Sequence, residues 1–173
     1  MSGSWVSMYQ IDFISLPGIT GRIGMGRAPG YGSDRFDDFR SIKAQGITKI
    51  YCLQEEDELQ YLTNGEDNFA KRREYLSSIG MDFVISPIGD FRIPTEEQAN
   101  ELTDMILNDV RSGKDILIHC MGGLGRTGTV AGCTLVRFGI APEIAIMTVR
   151  NVRPGTLETD QQLEFVISFV NKS

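Results

Sequence analysis

The run Ile116-Leu-Ile-His-Cys-Met-Gly-Gly-Leu-Gly-Arg-Thr-Gly128 places a cysteine directly after an apolar stretch and an arginine six positions later. Residues 116–118 suit a short buried strand. Residues 127–138 (Thr-Gly-Thr-Val-Ala-Gly-Cys-Thr-Leu-Val-Arg-Phe) suit a helix. The glycine-rich loop between them therefore opens onto a helix N-terminus, where unpaired N–H groups and the positive end of the helix dipole favour an oxyanion and equally a thiolate. Gly122, Gly123 and Gly125 free the backbone to turn successive N–H groups inward as an anion nest. Arg126 adds a planar fork for two phosphate oxygens. The expected phosphate ligands are Arg126 and the amides of Met121, Gly122, Gly123, Leu124 and Gly125, with Cys120 as the nucleophile beneath them.

Competing readings of this loop fit less well. Gly123, Gly125 and Gly128 satisfy the glycine spacing of a dinucleotide-binding turn, but helical sequence occupies the place where an acidic residue about 20 positions on would bind a ribose. A structural cysteine on a turn would not need the electropositive surroundings of this one. A metal site is not expected, since His119 is the only histidine and the three cysteines are scattered without zinc-ligand spacing.

Residues 119–128 resemble the H-C-x5-R-[S/T]-G signature of cysteine-dependent protein tyrosine and dual-specificity phosphatases. The Gly-Gly-Leu-Gly-Arg segment is similar to that of the cyclin-dependent-kinase-associated phosphatase group. Ala28-Pro29-Gly30, Pro87-Ile88-Gly89-Asp90 and a glutamine-bearing C-terminal helix fall where that group has related segments, so the resemblance covers roughly residues 23–169.

Working outward, Ser33-Asp34 reads as the cap of a helix whose face is Phe36, Phe39 and Ile42, with Gly46 following its end. Residues 48–53 read as a strand, 68–79 as a helix and 83–85 as a short strand. Thr95-Glu-Glu-Gln98 has the capping-box pattern of a helix running to about Ser112, Pro142 begins another that ends near Arg153-Pro-Gly155, and Thr159 to Gln162 caps a last helix with Leu163, Val166, Ile167 and Val170 on one face. Alternating strands and helices call for an α/β fold, a central mostly parallel sheet flanked by helices, and the resemblance implies the dual-specificity phosphatase version of it. Sites in such sheets gather at the C-terminal ends of strands, where Cys120 falls.

At 173 residues and 41% hydrophobic content, residues 1–173 are expected to form a single domain. No apolar run reaches membrane-spanning length, the first 17 residues lack the build of a secretion signal, and three cysteines suit a reducing compartment, so a cytoplasmic monomer is the expectation. A net charge of -6 argues against nucleic acid and anionic membrane as partners.

Phosphoryl transfer onto sulfur and then to water needs no cofactor, so none is expected. A leaving oxygen needs a proton, and Asp90, on a loop after a strand, resembles the family's acid. The resemblance also gives Thr127 a hydroxyl that stabilises the sulfur as a leaving group, and makes Gln161 and Gln162 glutamines that border the site and help place water. His119 is read as support for the cysteine. Cys52, ending a neighbouring strand, is read first as a buried bystander, with a redox partnership to Cys120 as the alternative, and Cys133 is read as core. The function expected is hydrolysis of phosphotyrosine, with phosphoserine and phosphothreonine open if the pocket is shallow. The alternatives are a phosphoinositide phosphatase, for which the loop lacks extra lysine or arginine, and a phosphate-binding adaptor, which would normally have lost cysteine, arginine or acid.

Overall fold

In the computed structural model, residues 7–169 are described. Five strands form one sheet: β1 (Asp12–Ser15), β2 (Arg22–Gly26), β3 (Ile47–Cys52), β4 (Asp82–Ile85) and β5 (Asp115–His119). Their order is β1-β2-β5-β3-β4, and only the edge pair β1/β2 is antiparallel. The expected mostly parallel sheet is therefore present.

The helices are α1 (Arg35–Ala44), α2 (Glu56–Thr63), α3 (Phe69–Ser78), α4 (Glu96–Arg111), α5 (Gly125–Phe138), α6 (Pro142–Val152) and α7 (Asp160–Ser168). Side chains alternate across the sheet as a strand requires. In β5, Ile116 and Ile118 join the layer formed with α4, α5, α6 and α7, while Leu117 joins the layer formed with α1, α2 and α3. Burying both faces explains why β5 reads as a continuous apolar run.

The capping signals translate into geometry. Asp34 accepts from the amides of Phe36 and Asp37, and Gly46, just past α1, has φ +95°. The expected reciprocal box at Thr95 is only half formed. Thr95 accepts from Gln98 N, but the Gln98 amide reaches back to Ser86 Oγ at 2.9 Å and to the Pro87 carbonyl at 3.0 Å instead of closing the box. Thr159 and Gln162 do make both halves. Val170, expected on the face of α7, lies outside the described residues.

The sequence reading missed β1, β2 and α2. Gly24 and Gly26 give β2 a poor strand composition, yet close packing demands them: a Cβ on Gly24 would lie 2.7 Å from Ile11 Cγ2, and one on Gly26 2.2 Å from the Tyr9 hydroxyl.

Candidate active site

β2, β3 and β5 run parallel, so the segments leaving their C-terminal ends converge on one edge of the sheet. Residues 120–124 leave β5 and lead directly into α5. The helix starts at Gly125, two residues earlier than the sequence suggested, so Arg126 is part of its first turn.

The loop's carbonyls are tied on its outer side. Met121 O accepts from Ala28 N at 2.8 Å. Arg153, just beyond α6, donates from Nη2 to Gly122 O at 3.0 Å and from Nε to Gly123 O at 2.8 Å, and is itself anchored on Asp12 at 2.8 Å. Leu124 O takes the amides of Gly128 and Leu157, each at 3.1 Å. With these carbonyls each given a partner, the amides of the loop are the groups that remain to meet an anion. The glycines serve this shape for different reasons. Gly123 alone needs a positive φ, +75°, and a Cβ there would lie 2.3 Å from Gly26 O. Gly125 has ordinary helical backbone and is small because Glu158 and Gln162 crowd it, whereas a Cβ on Gly122 would meet open space.

Arg126 is 1% exposed. Glu58 on α2 grips it through both oxygens, at 2.6 and 2.8 Å, Ile88 O accepts at 2.9 Å, and Asp90 Oδ1 accepts at 3.1 Å. Burial alone would disfavour its charge. The Glu58 hydrogen bonds, followed by the charges of Cys120, Glu58 and Asp90, outweigh that and hold the guanidinium above its ordinary pKa range. Cys120 itself is 2% exposed, at the base of the loop.

His119 is fully buried, and its Nδ1 lies 3.1 Å from Cys120 O. A carbonyl only accepts, so Nδ1 carries the proton. Burial, aided by the nearby charge of Arg72, pushes the imidazole down to about 3, so it stays neutral near pH 7. Three threonines lie on α5. Thr129 and Thr134 each hydrogen-bond the carbonyl four residues back at 2.8 Å, as helical threonines commonly do. Thr127 does not: its buried Oγ1 has no partner within the protein.

A family model described as PTP-SAK, Swiss Army Knife protein, DSP-PTPase phosphatase domain, matches residues 31–166. This chain belongs to that phosphatase family. Human cyclin-dependent kinase inhibitor 3 is 26% identical over 175 residues, an alignment covering 98% of this chain and 78% of the relative. Among solved structures, a kinase associated phosphatase with its catalytic cysteine replaced by serine matches at TM-score 0.85 and 24% identity, covering 95% of each chain. Tk-PTP in its active form matches at TM-score 0.71 and 31% identity, covering 92% of this chain and 100% of that one. Matched stretches span 58% and 52% of two uncharacterized proteins of Methanocaldococcus jannaschii.

Within this phosphatase domain the remaining expected site residues fall in different places. Both ends of the Gln162 amide are occupied: Oε1 accepts from Glu158 N and Thr159 N at 2.9 and 3.2 Å, and Nε2 donates to Arg92 O at 3.2 Å. These contacts tie the loop after β4 to the start of α7 and leave Gln162 one Nε2 N–H unspent. Gln161 is exposed, in a shallow groove with Ile93 and Phe165. The redox alternative for Cys52 needs correction. Cys52 stands opposite His119 in the β3/β5 register, but its side chain packs with Phe39, Leu59 and Leu76 while Cys120 packs in the layer across the sheet. Burial pushes the Cys52 thiol up to about 11, so it is a core residue and a poor partner for a disulfide with Cys120. Cys133 is buried in α5 as expected. Glu58 and Arg153 were not recognised as site residues. Their only signals were an acidic run before Leu59 and an arginine read as a helix stop.

Proposed function

We propose that this domain hydrolyses phosphomonoesters on proteins, phosphotyrosine first, through a phosphocysteine intermediate. The observation that carries this reading is the single constellation of Cys120, a loop with its carbonyls fastened outward, and Arg126 held beside Asp90. The thiolate of Cys120 attacks phosphorus, forming the S–P bond as the bond to the leaving oxygen breaks, and Asp90, protonated at that stage, gives its proton to that oxygen. The loop amides and Arg126 hold the three equatorial oxygens throughout. Water then attacks phosphorus, Asp90 takes its proton, and the S–P bond breaks to regenerate the thiolate and release inorganic phosphate. Thr127 Oγ1, left without a partner in the protein, donates to the departing sulfur.

Arg126 arrives already oriented. Glu58 holds both terminal nitrogens and fixes the plane of the guanidinium, leaving Nε–H for one phosphate oxygen, and Nη2 takes a second as Asp90 gives up its 3.1 Å contact. Arg153 acts through the loop and not on substrate, because its nitrogens are spent on Gly122, Gly123 and Asp12. No cation besides Arg126 comes from the loop itself, which favours a singly phosphorylated side chain over a polyphosphorylated inositol.

Among the described residues no helix is long and apolar enough to cross a membrane. We place the domain, acting as a monomer, in a reducing cytoplasm, where the free Cys120 on which this chemistry depends would persist. A panel of phosphotyrosyl, phosphothreonyl and phosphoseryl peptides, phosphoinositides and p-nitrophenyl phosphate tests the reading. The highest kcat/KM is expected on phosphotyrosyl peptide; a preference for phosphoinositide overturns the substrate class, and phosphate binding without turnover of any substrate overturns the enzyme.

A further inference from the structure

Four buried side-chain atoms among the described residues have no hydrogen-bond partner within the protein: Arg72 Nη1 is a donor, His119 Nε2 and Gln54 Oε1 are acceptors, and the fourth is Thr127 Oγ1. Arg72 Nη1 can only donate. His119 Nε2, with its proton on Nδ1 facing Cys120 O, can only accept. Such orphans are costly in a dry interior, and each raises the question of what satisfies it.

Both belong to the same side of the sheet. Leu117 points into the layer of α1, α2 and α3, and so, two residues on, does His119, whose register partner Cys52 lies in that layer. Arg72 enters the layer from α3. Its guanidinium lies 5.1 Å from the Phe39 ring centroid, and Nε and Nη2 bind Asp67 Oδ2 at 3.0 and 2.7 Å. That leaves Nη1 alone unspent. The charge of Arg72 is felt at both Cys52 and His119. No other cation reaches both so strongly, although Arg126 also acts on each.

We propose that Arg72 is a positioning residue: Nη1–H reaches His119 Nε2 through one buried water, fixing the imidazole that supports Cys120. The water accepts from Nη1 and donates to Nε2, so both orphans are satisfied with no change in charge. The chain Asp67, Arg72, water, His119 and the Cys120 carbonyl links α3 to the floor of the loop. This rests on the phosphatase reading only where it speaks of catalysis, since the hydrogen-bond chain exists without turnover.

His119 is the only histidine, so a ¹⁵N spectrum of labelled imidazole reports this site alone. The wild-type protein should show the Nδ1–H tautomer, with Nε2 displaced from a free imidazole nitrogen in the direction of an accepted hydrogen bond. Arg72→Lys should shift that signal. Asp67→Asn with Arg72→Met, which removes both buried charges together, should return it to the free value. Leu76→Ala, on the same helix and in the same layer, should leave it in place. In p-nitrophenyl phosphate turnover the double variant should lose about tenfold in kcat with KM unchanged, the scale of losing a group that orients a site residue. An Nε2 signal identical in wild type and both Arg72 variants, or one moved equally by Leu76→Ala, overturns the link. A moved signal with unchanged kcat overturns the positioning role. If the wild-type protein turns over nothing, the phosphatase reading fails while the spectrum still decides the link.

Discussion

Two loops meet at Arg126, and they are built in opposite ways. Residues 120–124 are fastened by Ala28, Arg153 and Leu157 at their carbonyls, with Cys120 2% exposed beneath. Residues 89–93 are held at their flanks, through Ile88 to Leu53 and Arg126 and through Arg92 O to Gln162, and between them by Asp90 on Arg126 and a turn from Arg92 N to Gly89 O, while Phe91 stands 56% and Ile93 39% exposed. Each loop has a residue in the left-handed region, Gly123 at φ +75° and Phe91 at φ +61°. In the first, a side chain has nowhere to go. In the second, a large one projects into solvent. The cradle must match an oxyanion to within fractions of an ångström, and rigidity serves that. In the proposed reaction Asp90 must come to a leaving group and withdraw, which a segment fastened mainly at its flanks permits.

Breaking the rigid loop at its chemistry gives the largest effect. Cys120→Ser should abolish turnover yet still bind phosphate, because a hydroxyl is far too weak a nucleophile while the cradle is unaltered. Single-turnover assays and phosphate titration check it; substantial residual activity would remove the covalent step.

The acid loop comes next. Asp90→Asn should lose roughly 10²- to 10⁴-fold in kcat on alkyl or poor aryl leaving groups and much less on p-nitrophenyl phosphate, whose leaving group needs little protonation. A leaving-group series separates the possibilities: a uniform loss would mean that Asp90 matters as a contact of Arg126, 3.1 Å away, and not as a proton donor.

Gly123→Ala tests the shape of the cradle without touching a reacting group. Its new Cβ would fall 2.3 Å from Gly26 O, backbone against backbone, so the loop must shift. A displacement on the order of 1 Å is expected to cost about 100-fold in kcat/KM. Near-wild-type kinetics would show that the fastened carbonyls are not what sets the amides.

How much of this was legible in the chain follows from how local each piece of chemistry is. The strand, loop and helix around Cys120 lie within a few residues of one another, and so their spacing announces them. Asp90 could be singled out from its loop after β4 and the family resemblance, and its contact with Arg126 is consistent with the acid role proposed for it. Glu58 and Arg153 could not, because their partners stand 68 and 30 residues away, and only the folded sheet brings α2 and the end of α6 to the loop. Helix α2 itself was hidden by the acidic run Glu55-Glu56-Asp57-Glu58, which looks like a solvated loop until Glu58 is seen gripping Arg126. β2 was hidden by Gly24 and Gly26, whose smallness serves packing and works against strand propensity. The redox alternative for Cys52 looked open for a related reason: adjacent strand ends are close, but side-chain alternation puts its sulfur in the other layer.

The smallest effect, and the most direct contrast with Gly123, is expected at Phe91. A bulky residue in the left-handed region carries strain of roughly 1–2 kcal/mol, and replacing it with glycine removes that strain while adding roughly 0.5–1 kcal/mol of unfolded-chain entropy. Since the ring is 56% exposed, little burial is lost, and Phe91→Gly should raise stability by about 1 kcal/mol or less, seen as a small increase in the urea midpoint with an unchanged m-value. The Phe91 amide, which donates to Asp90 Oδ1 at 3.0 Å, is retained in the variant, so the carboxylate keeps that contact. A fall in the midpoint would mean that the ring packs firmly enough to outweigh its backbone strain, and the acid loop would then be closer in construction to the cradle than its exposure indicates.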